Sequence, residues 1–198
     1  MKAYASRGGF KLEHALKEFK IDVKDKVVLD IGASHGGFTD CLLQHGAAKV
    51  YAVDVAYGIF DWKLRNDPRV VVMERTNARY LTAEDLIKKE KTPNSQLRTP
   101  NFAAIDVSFI SLDKILPVVE KLLVGRGEVI ALVKPQFEAQ REEVGRGGIV
   151  RDEGVREKVI ERIKAKAQAI GFKVKGITPS PIEGAKGNVE YLLYLAKE

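Results

Sequence analysis

The 198-residue chain is 45% apolar and 30% charged, the balance of one globular domain rather than of a disordered segment. Apolar runs such as Val129–Val133 fall far short of the roughly 20 residues a membrane-spanning helix needs, and Met1–Arg7 has no apolar signal segment. Cys41 is the only cysteine, which excludes a disulfide framework and leads us to expect a cytoplasmic protein without a membrane partner.

The 33 Lys and Arg against 27 Asp and Glu give +6, which suits either a polyanionic partner or a simple solubility charge. Three scattered histidines and one cysteine lack zinc-type spacing, so no metal is expected. In chain order, Leu12, Ala15, Leu16 and Phe19 mark a short amphipathic helix. Val27–Ile31, Val50–Val53, Val70–Met73, Phe102–Ile105 and Val129–Val133 are near-continuous apolar runs. Such runs suit strands buried on both faces of a parallel sheet. Between them, helices are expected over Phe38–Gln44, from the Thr82 N-cap to Lys89, and over Leu112–Leu123 and Asp152–Ile170. Phe172–Ile177 alternates with period two, and Val189–Leu195 follows after a Pro/Gly-rich loop, so an antiparallel strand pair should close the sheet edge. Lys91–Asn101, with Pro93 and Pro100, is expected to be an exposed connection, and Pro135–Val150 an irregular one. Phe60 and Trp62 are assigned to a helix core. The sum is an α/β doubly wound fold with an antiparallel edge.

The first strand runs into Asp30-Ile31-Gly32-Ala33-Ser34-His35-Gly36-Gly37-Phe38 and then a helix. Glycines let the backbone turn sharply near a ligand, and a helix N-terminus favours an anion. The spacing is neither the dinucleotide G-x-G-x-x-G nor a P-loop. Asp54 ends the second strand, 22 residues past Gly32, where an acid can accept both hydroxyls of a ribose. Asn77 follows the third strand, where it is either an adenine contact or a turn residue. Lys11, Asp106, Lys134 and Glu190 stand at element ends on one expected rim. A lysine beside a buried sheet can act as a base, and neighbouring charges tune it. Each of the four, alone, reads as a solvated terminal charge; together with the glycine loop they point to a reactive site.

The form Asp-x-Gly-x-x-x-Gly-Gly resembles motif I of S-adenosylmethionine-dependent methyltransferases. With Ser6–Leu12, Leu29–Thr39, Asp106–Ile110, Leu132–Glu138 and Gly187–Glu190, the chain resembles the TlyA family, within the FtsJ-like 2′-O-ribose RNA methyltransferases. The segments occur in order over nearly the whole chain. The resemblance implies a Rossmann-like class I fold with a mostly parallel seven-stranded sheet and an antiparallel edge strand. It implies S-adenosylmethionine bound by Asp30, Gly32, Ala33, Ser34, Gly36, Gly37, Phe38, Asp54 and Asn77. The family's K-D-K-E tetrad falls on Lys11, Asp106, Lys134 and Glu190. Family members also carry an S4 RNA-binding domain; here residues 1–10 correspond to a remnant of the connector and residues 11–198 to the methyltransferase domain.

A ribose 2′-hydroxyl is a poor nucleophile and needs a base or a field that stabilises the alkoxide. The resemblance gives that role to Lys134, tuned by Asp106 and Glu190 and steadied by Lys11. RNA, ribosomal by the same implication, must reach this rim. There Arg7, Arg141, Arg146 and Arg151 could meet phosphates and Phe137 could stack on a base. Two other functions compete: a membrane-active haemolysin, a label this family has carried, and an RNA-binding module without activity. The missing spanning segment opposes the first, and the intact tetrad and glycine loop oppose the second.

Overall fold

Strands made of unbroken apolar residues must be covered on both faces, and this requirement sets the architecture. The computed structural model describes residues 4–90 and 99–197. Its strands are β1 (Val27–Ile31), β2 (Lys49–Val53), β3 (Val70–Met73), β4 (Phe102–Ile105), β5 (Glu128–Val133), β6 (Phe172–Pro179) and β7 (Tyr191–Lys197). They form one sheet in the order β3-β2-β1-β4-β5-β7-β6. Neighbours from β3 to β5 pair in parallel, while β7 runs antiparallel to both β5 and β6. The helices are α1 (Gly8–Glu18), α2 (Gly37–Gln44), α3 (Trp62–Arg65), α4 (Ala83–Lys89), α5 (Leu116–Leu122), α6 (Pro135–Glu138) and α7 (Glu153–Ala169).

Side chains alternate along a strand, so the inner strands feed two cores. Val27, Leu29 and Ile31 pack with Leu86 of α4, Leu116 and Val119 of α5, and Ile163 of α7. Val28 packs with Leu12 and Leu16 of α1 and Leu42 of α2 on the other side. Among the described residues no helix is long and apolar enough to cross a membrane.

Several elements differ from their sequence-based forms. The first helix begins at Gly8 rather than near Leu12. The expected Leu112–Leu123 helix is a 3-10 turn, Leu112–Lys114, followed by α5. Pro117 has no N–H to give the Asp113 carbonyl, so the ladder restarts there. The terminal strand pair lies at the sheet edge as expected, yet the reversed strand, β7, stands one place in, and β6 is the edge. Its ladder starts at Tyr191, so Glu190 stands just before the strand. Trp62 is not core: it is 73% exposed, while Phe60 is buried. Asp61 caps α3 through its side chain, which turns Leu64 inward and leaves Trp62 outside. Of the Lys91–Asn101 connection, residues 91–98, Pro93 among them, lie outside the described residues. The Pro135–Val150 stretch contains α6, a 3-10 turn and an isolated bridge between Gly145 and Ile149.

Asp30 is the one charged residue in β1 and is completely buried. Its Oδ2 accepts a 2.5 Å hydrogen bond from the Thr39 hydroxyl, fastening the first turn of α2 to the end of β1. Burial pushes its carboxyl up to about 7; the Thr39 hydroxyl opposes the rise, and the Asp106 and Asp54 charges add to it. Between about 4, where the unfolded carboxyl titrates, and the folded value, the native state keeps a proton the unfolded chain has lost. Stability therefore falls as pH rises through that window and levels off above it. Asp30→Asn removes this titration, so its denaturant midpoint should decline less than that of wild type between pH 5 and pH 8. Parallel declines would exclude Asp30 as the source.

Candidate active site

In an open α/β sheet a crevice forms where the strand order reverses, here between β1 and β4. Ile31 is in register with Ile105, which sets Gly32 beside Asp106. The Asp106 amide donates a 2.8 Å hydrogen bond to the Ile31 carbonyl. Gly32 has φ +85°, and a Cβ there would overlap the Asp106 carbonyl oxygen, so only glycine passes between the two strand ends. The loop then turns through Ser34, also left-handed at φ +49°. The Ser34 amide donates to Asp54 Oδ2 at 2.7 Å and the Ala56 amide to Oδ1 at 2.8 Å. The acid at the end of β2 thus holds the glycine loop from the side.

Two cavities open on this rim. The first, about 350 Å³, has Gly32, Ser34, Asp54 and Asn77 among its lining, with apolar walls from Val55, Ile59, Val107, Ile110 and Ile115. Asn77 Oδ1 accepts from the Arg79 amide and caps a short 3-10 turn, Ala78–Tyr80. Its amide nitrogen is the donor left for a ligand.

The second cavity, about 450 Å³, collects all four charged residues, Lys11, Asp106, Lys134 and Glu190. They form two ion pairs. Lys134 Nζ lies 2.6 Å from Asp106 Oδ1, and Lys11 Nζ lies 2.6 Å from Glu190 Oε2. The second pair is nearly enclosed, with 11% and 3% of the side chains exposed. The antiparallel register Val133↔Tyr191 is what brings Lys134 and Glu190 to one end of the sheet. Gly184 leaves room for the Glu190 carboxylate, which a Cβ would overlap. Ala33, Ser34, Gly37, Phe38, Arg7 and Phe137 are also in the wall. The two cavities share Gly32, Ser34, Asp106, Ser108 and Phe109, so they are halves of one cleft.

Three expected contacts fall elsewhere. Asp30 lies beneath the loop, bonded to Thr39, and lines neither cavity. Gly36 is the α2 N-cap with φ +92°, and its open side faces Leu64 and Phe60 in the core. Arg146, on the exposed turn closed by the Gly145–Ile149 bridge, lines neither cavity. Ser108 and Gln136 were not singled out from sequence. Lys134 Nζ donates to Ser108 Oγ at 3.0 Å, and Gln136 Nε2 donates to Glu190 Oε1 at 3.2 Å. Each stands two residues past a strand-end charge, Asp106 or Lys134, and that repeated offset is the signal that could have found them. Phe109 was likewise passed over as a site residue; it has φ +62°, is 89% exposed and sits 4.8 Å from the Phe137 ring. Among the described residues no group of three or more His, Cys, Asp or Glu could hold a metal ion.

A seven-stranded sheet of this order, with a glycine loop after β1 and an acid after β2, defines a Rossmann-like methyltransferase. Residues 4–197 match the family model described as FtsJ-like methyltransferase, and the chain belongs to that family. It is 57% identical over 192 residues to YqxC of Bacillus subtilis, provisionally named an rRNA methyltransferase; the match covers 97% of this chain and 65% of YqxC. The chain thus spans just under two thirds of that relative's length. It is 44% identical over 194 residues to the Mycobacterium tuberculosis protein named 16S/23S rRNA (cytidine-2′-O)-methyltransferase TlyA, covering 98% of this chain and 69% of that one. The solved structure of a Streptococcus thermophilus protein, provisionally titled a hemolysin, superposes with a TM-score of 0.92 at 52% identity, covering 100% of this chain and 68% of that one.

Two glycines separate the effect of close approach from that of backbone strain. Gly32 and Gly58 both have positive φ, but a Cβ on Gly58 meets nothing. Gly58→Ala should cost about 1 kcal/mol in urea unfolding, the left-handed penalty alone. Gly32→Ala should cost at least twice as much, because β1 and β4 must also part. Equal costs would show that the Gly32–Asp106 approach carries no weight.

Proposed function

We propose that this protein uses S-adenosylmethionine to methylate the 2′-hydroxyl of an RNA ribose, with ribosomal RNA as substrate and the cytoplasm as its setting. One observation carries the proposal. The two ion pairs of the second cavity share a wall with a cavity whose polar groups suit a nucleoside. The names of the relatives support the substrate: the TlyA name specifies ribose methylation of ribosomal RNA. In the same proposal residues 11–198 are the methyltransferase domain and residues 1–10 its connector.

The first cavity fits the cofactor by its donor set. Apolar walls accept a flat base, Asn77 offers an amide donor to its edge, and Asp54 has lone pairs beyond those taken by Ser34 and Ala56. The N-terminus of α2, opened by Gly37 and Phe38, favours a carboxylate. Bound there, S-adenosylmethionine supplies an electrophilic methyl group.

The chain's own residues then act on the hydroxyl. Lys134 in its neutral amine form takes the hydroxyl proton at Nζ, or as the ammonium it donates a hydrogen bond to the hydroxyl oxygen and polarises it. Asp106 and Ser108 hold that nitrogen in place. Lys11 adds positive charge where negative charge develops, and Glu190, held in turn by Gln136, fixes Lys11. Enclosure strengthens the Lys11–Glu190 pair most, because little water is left there to screen it. Arg7 and Phe137, on the cavity wall, contact the target nucleotide, and Arg146 reaches phosphates farther out.

Lys134→Ala should leave S-adenosylmethionine affinity unchanged by calorimetry, since Asp54 and the glycine loop are untouched. Single-turnover methylation of ribosomal RNA should fall by about 10² to 10⁴, the usual share of a positioned base. Lys134→Arg should not restore it, because guanidinium keeps its proton at any working pH. Wild-type turnover in Lys134→Ala would refute the assignment. Asp54→Ala should weaken cofactor binding by about 1–3 kcal/mol, the range for hydrogen bonds to a charged group. An unchanged calorimetric affinity would take Asp54 out of the cofactor site.

A further inference from the structure

A carboxylate shut away from water needs donors on both oxygens, because burying a charge without partners is costly. Glu138 is such a group: it ends α6, and its side chain is 2% exposed. Burial pushes its carboxyl up, and the Leu112 amide, the Ser111 hydroxyl and Arg162 oppose the rise. Oε1 accepts from the Leu112 amide at 2.7 Å. Oε2 accepts from the Ser111 hydroxyl at 2.7 Å and from Arg162 Nη2 at 3.0 Å.

These bonds join two loops of the cleft. Ser111 and Leu112 follow the stretch that leaves β4 through Asp106, Ser108 and Phe109. Glu138 closes the single helical turn that Lys134 opens, in which the Phe137 amide donates to the Lys134 carbonyl at 2.9 Å. The loops are therefore tied twice. Lys134 meets Asp106 and Ser108 near the strand ends, and Glu138 meets Ser111 and Leu112 farther along. Phe109 and Phe137, with ring centres 4.8 Å apart, lie between the two ties in the chain. Arg162 of α7 secures the outer tie. Its Nη2 also donates to the Glu138 carbonyl at 2.8 Å, and its Nη1 donates to Asp113 Oδ2 at 2.7 Å, so one planar fork spans both loops. Val159 and Ile163 seat α7 in the core, which gives that fork a rigid base.

The loop after β4 needs such a hold. Phe109 has φ +62°, strained for a residue with a Cβ, and is exposed. Strained backbone persists only where its surroundings over-determine it. The β4 ladder fixes the Asp106 end, and Glu138 anchors the other. The 3-10 turn itself does not require a carboxylate: Ser111 Oγ already caps it by accepting from the Asp113 amide at 3.1 Å. What the buried acid adds is the tie to the Lys134 loop.

We propose that Glu138 is a positioning residue for methyl transfer: it sets the separation of the loops that begin at Asp106 and Lys134, and Arg162 holds Glu138 in place. Glu138 lines neither cavity, so it acts through Lys134. The proposal rests on the reaction and the Lys134 role proposed above.

The test measures single-turnover methylation of purified bacterial ribosomal RNA by the full chain, with RNA and S-adenosylmethionine both saturating so that changes in affinity drop out. Glu138→Gln keeps the shape but turns an amide NH2 toward donors. Its rate should fall about 10- to 100-fold, the cost of displacing a reacting group by about an ångström. A residue that acts through Lys134 has nothing left to position once that lysine is gone. Glu138→Gln added to Lys134→Ala should therefore lower the residual rate by less than about twofold, the behaviour of residues that work as a unit. A residue that only keeps the chain folded lowers the rate by the same factor in both backgrounds, and that result would overturn the proposal. So would a wild-type rate in Glu138→Gln. Arg162→Lys, at a partly exposed site, keeps the charge without the fork. It should show a smaller loss that also vanishes in Lys134→Ala, and it carries the same cycle if Glu138→Gln does not fold. Failure of the wild-type chain to methylate this RNA would instead overturn the proposed function, and wild-type turnover in Lys134→Ala the role of that lysine.

Discussion

The hydrogen bond from the Asp106 amide to the Ile31 carbonyl, 2.8 Å long, closes the two central strands where their order reverses. Around it the cleft is organised. Gly32 can follow Ile31 only because it brings no Cβ against the Asp106 carbonyl. The chain must then turn away sharply, and it meets the acid of β2 through the Ser34 amide. Asp106, fixed by its own backbone, meets Lys134 at the end of the next strand. One backbone contact therefore determines where both cavities lie and why they share a wall.

Charged pairs inside such a wall are not there for stability. Withdrawing a carboxylate and an ammonium from water costs several kcal/mol each, and their attraction returns that only with good geometry and further hydrogen bonds. Here the further bonds exist: Ser108 for Lys134 and Gln136 for Glu190. Asp30 follows the same economy one layer deeper. With Thr39 as its anchor in a dry site, it holds a proton into the neutral range.

Much of the frame could be read in the sequence, because strands buried on both faces must be apolar throughout, and Val27–Ile31 and Val129–Val133 are nearly so. Asp106, Lys134 and Glu190 were legible for the complementary reason: they follow or precede such runs, where the hydrogen-bond ladder ends, whereas Lys11 stands in the first turns of α1. What escaped depended on neighbours distant in sequence. Trp62 looks like core until α3 is set against the sheet by Asp61 and Leu64. Asp30 looks like a ligand contact, since nothing local reveals that Thr39 lies beneath the loop. Local pattern gave a terminal strand pair but not its order in the sheet, which β5 decides by pairing with β7 rather than β6. Gln136 and Ser108 are ordinary polar residues until the partner each holds is known.

That strand order has a consequence for how the protein is made. β7 follows every other strand in the chain yet sits inside the sheet, between β5 and β6. During synthesis β5 keeps an open apolar edge, and β6 has nothing to pair with, until β7 has emerged. Open edges of this kind are the sites at which incomplete chains associate. Glu190 precedes β7 directly, so Lys11 also waits for its counter-ion until that moment. Closure of the sheet and completion of the charge set are therefore one late event. A nascent chain halted short of β7 has its glycine loop and its β2 acid, but no finished site.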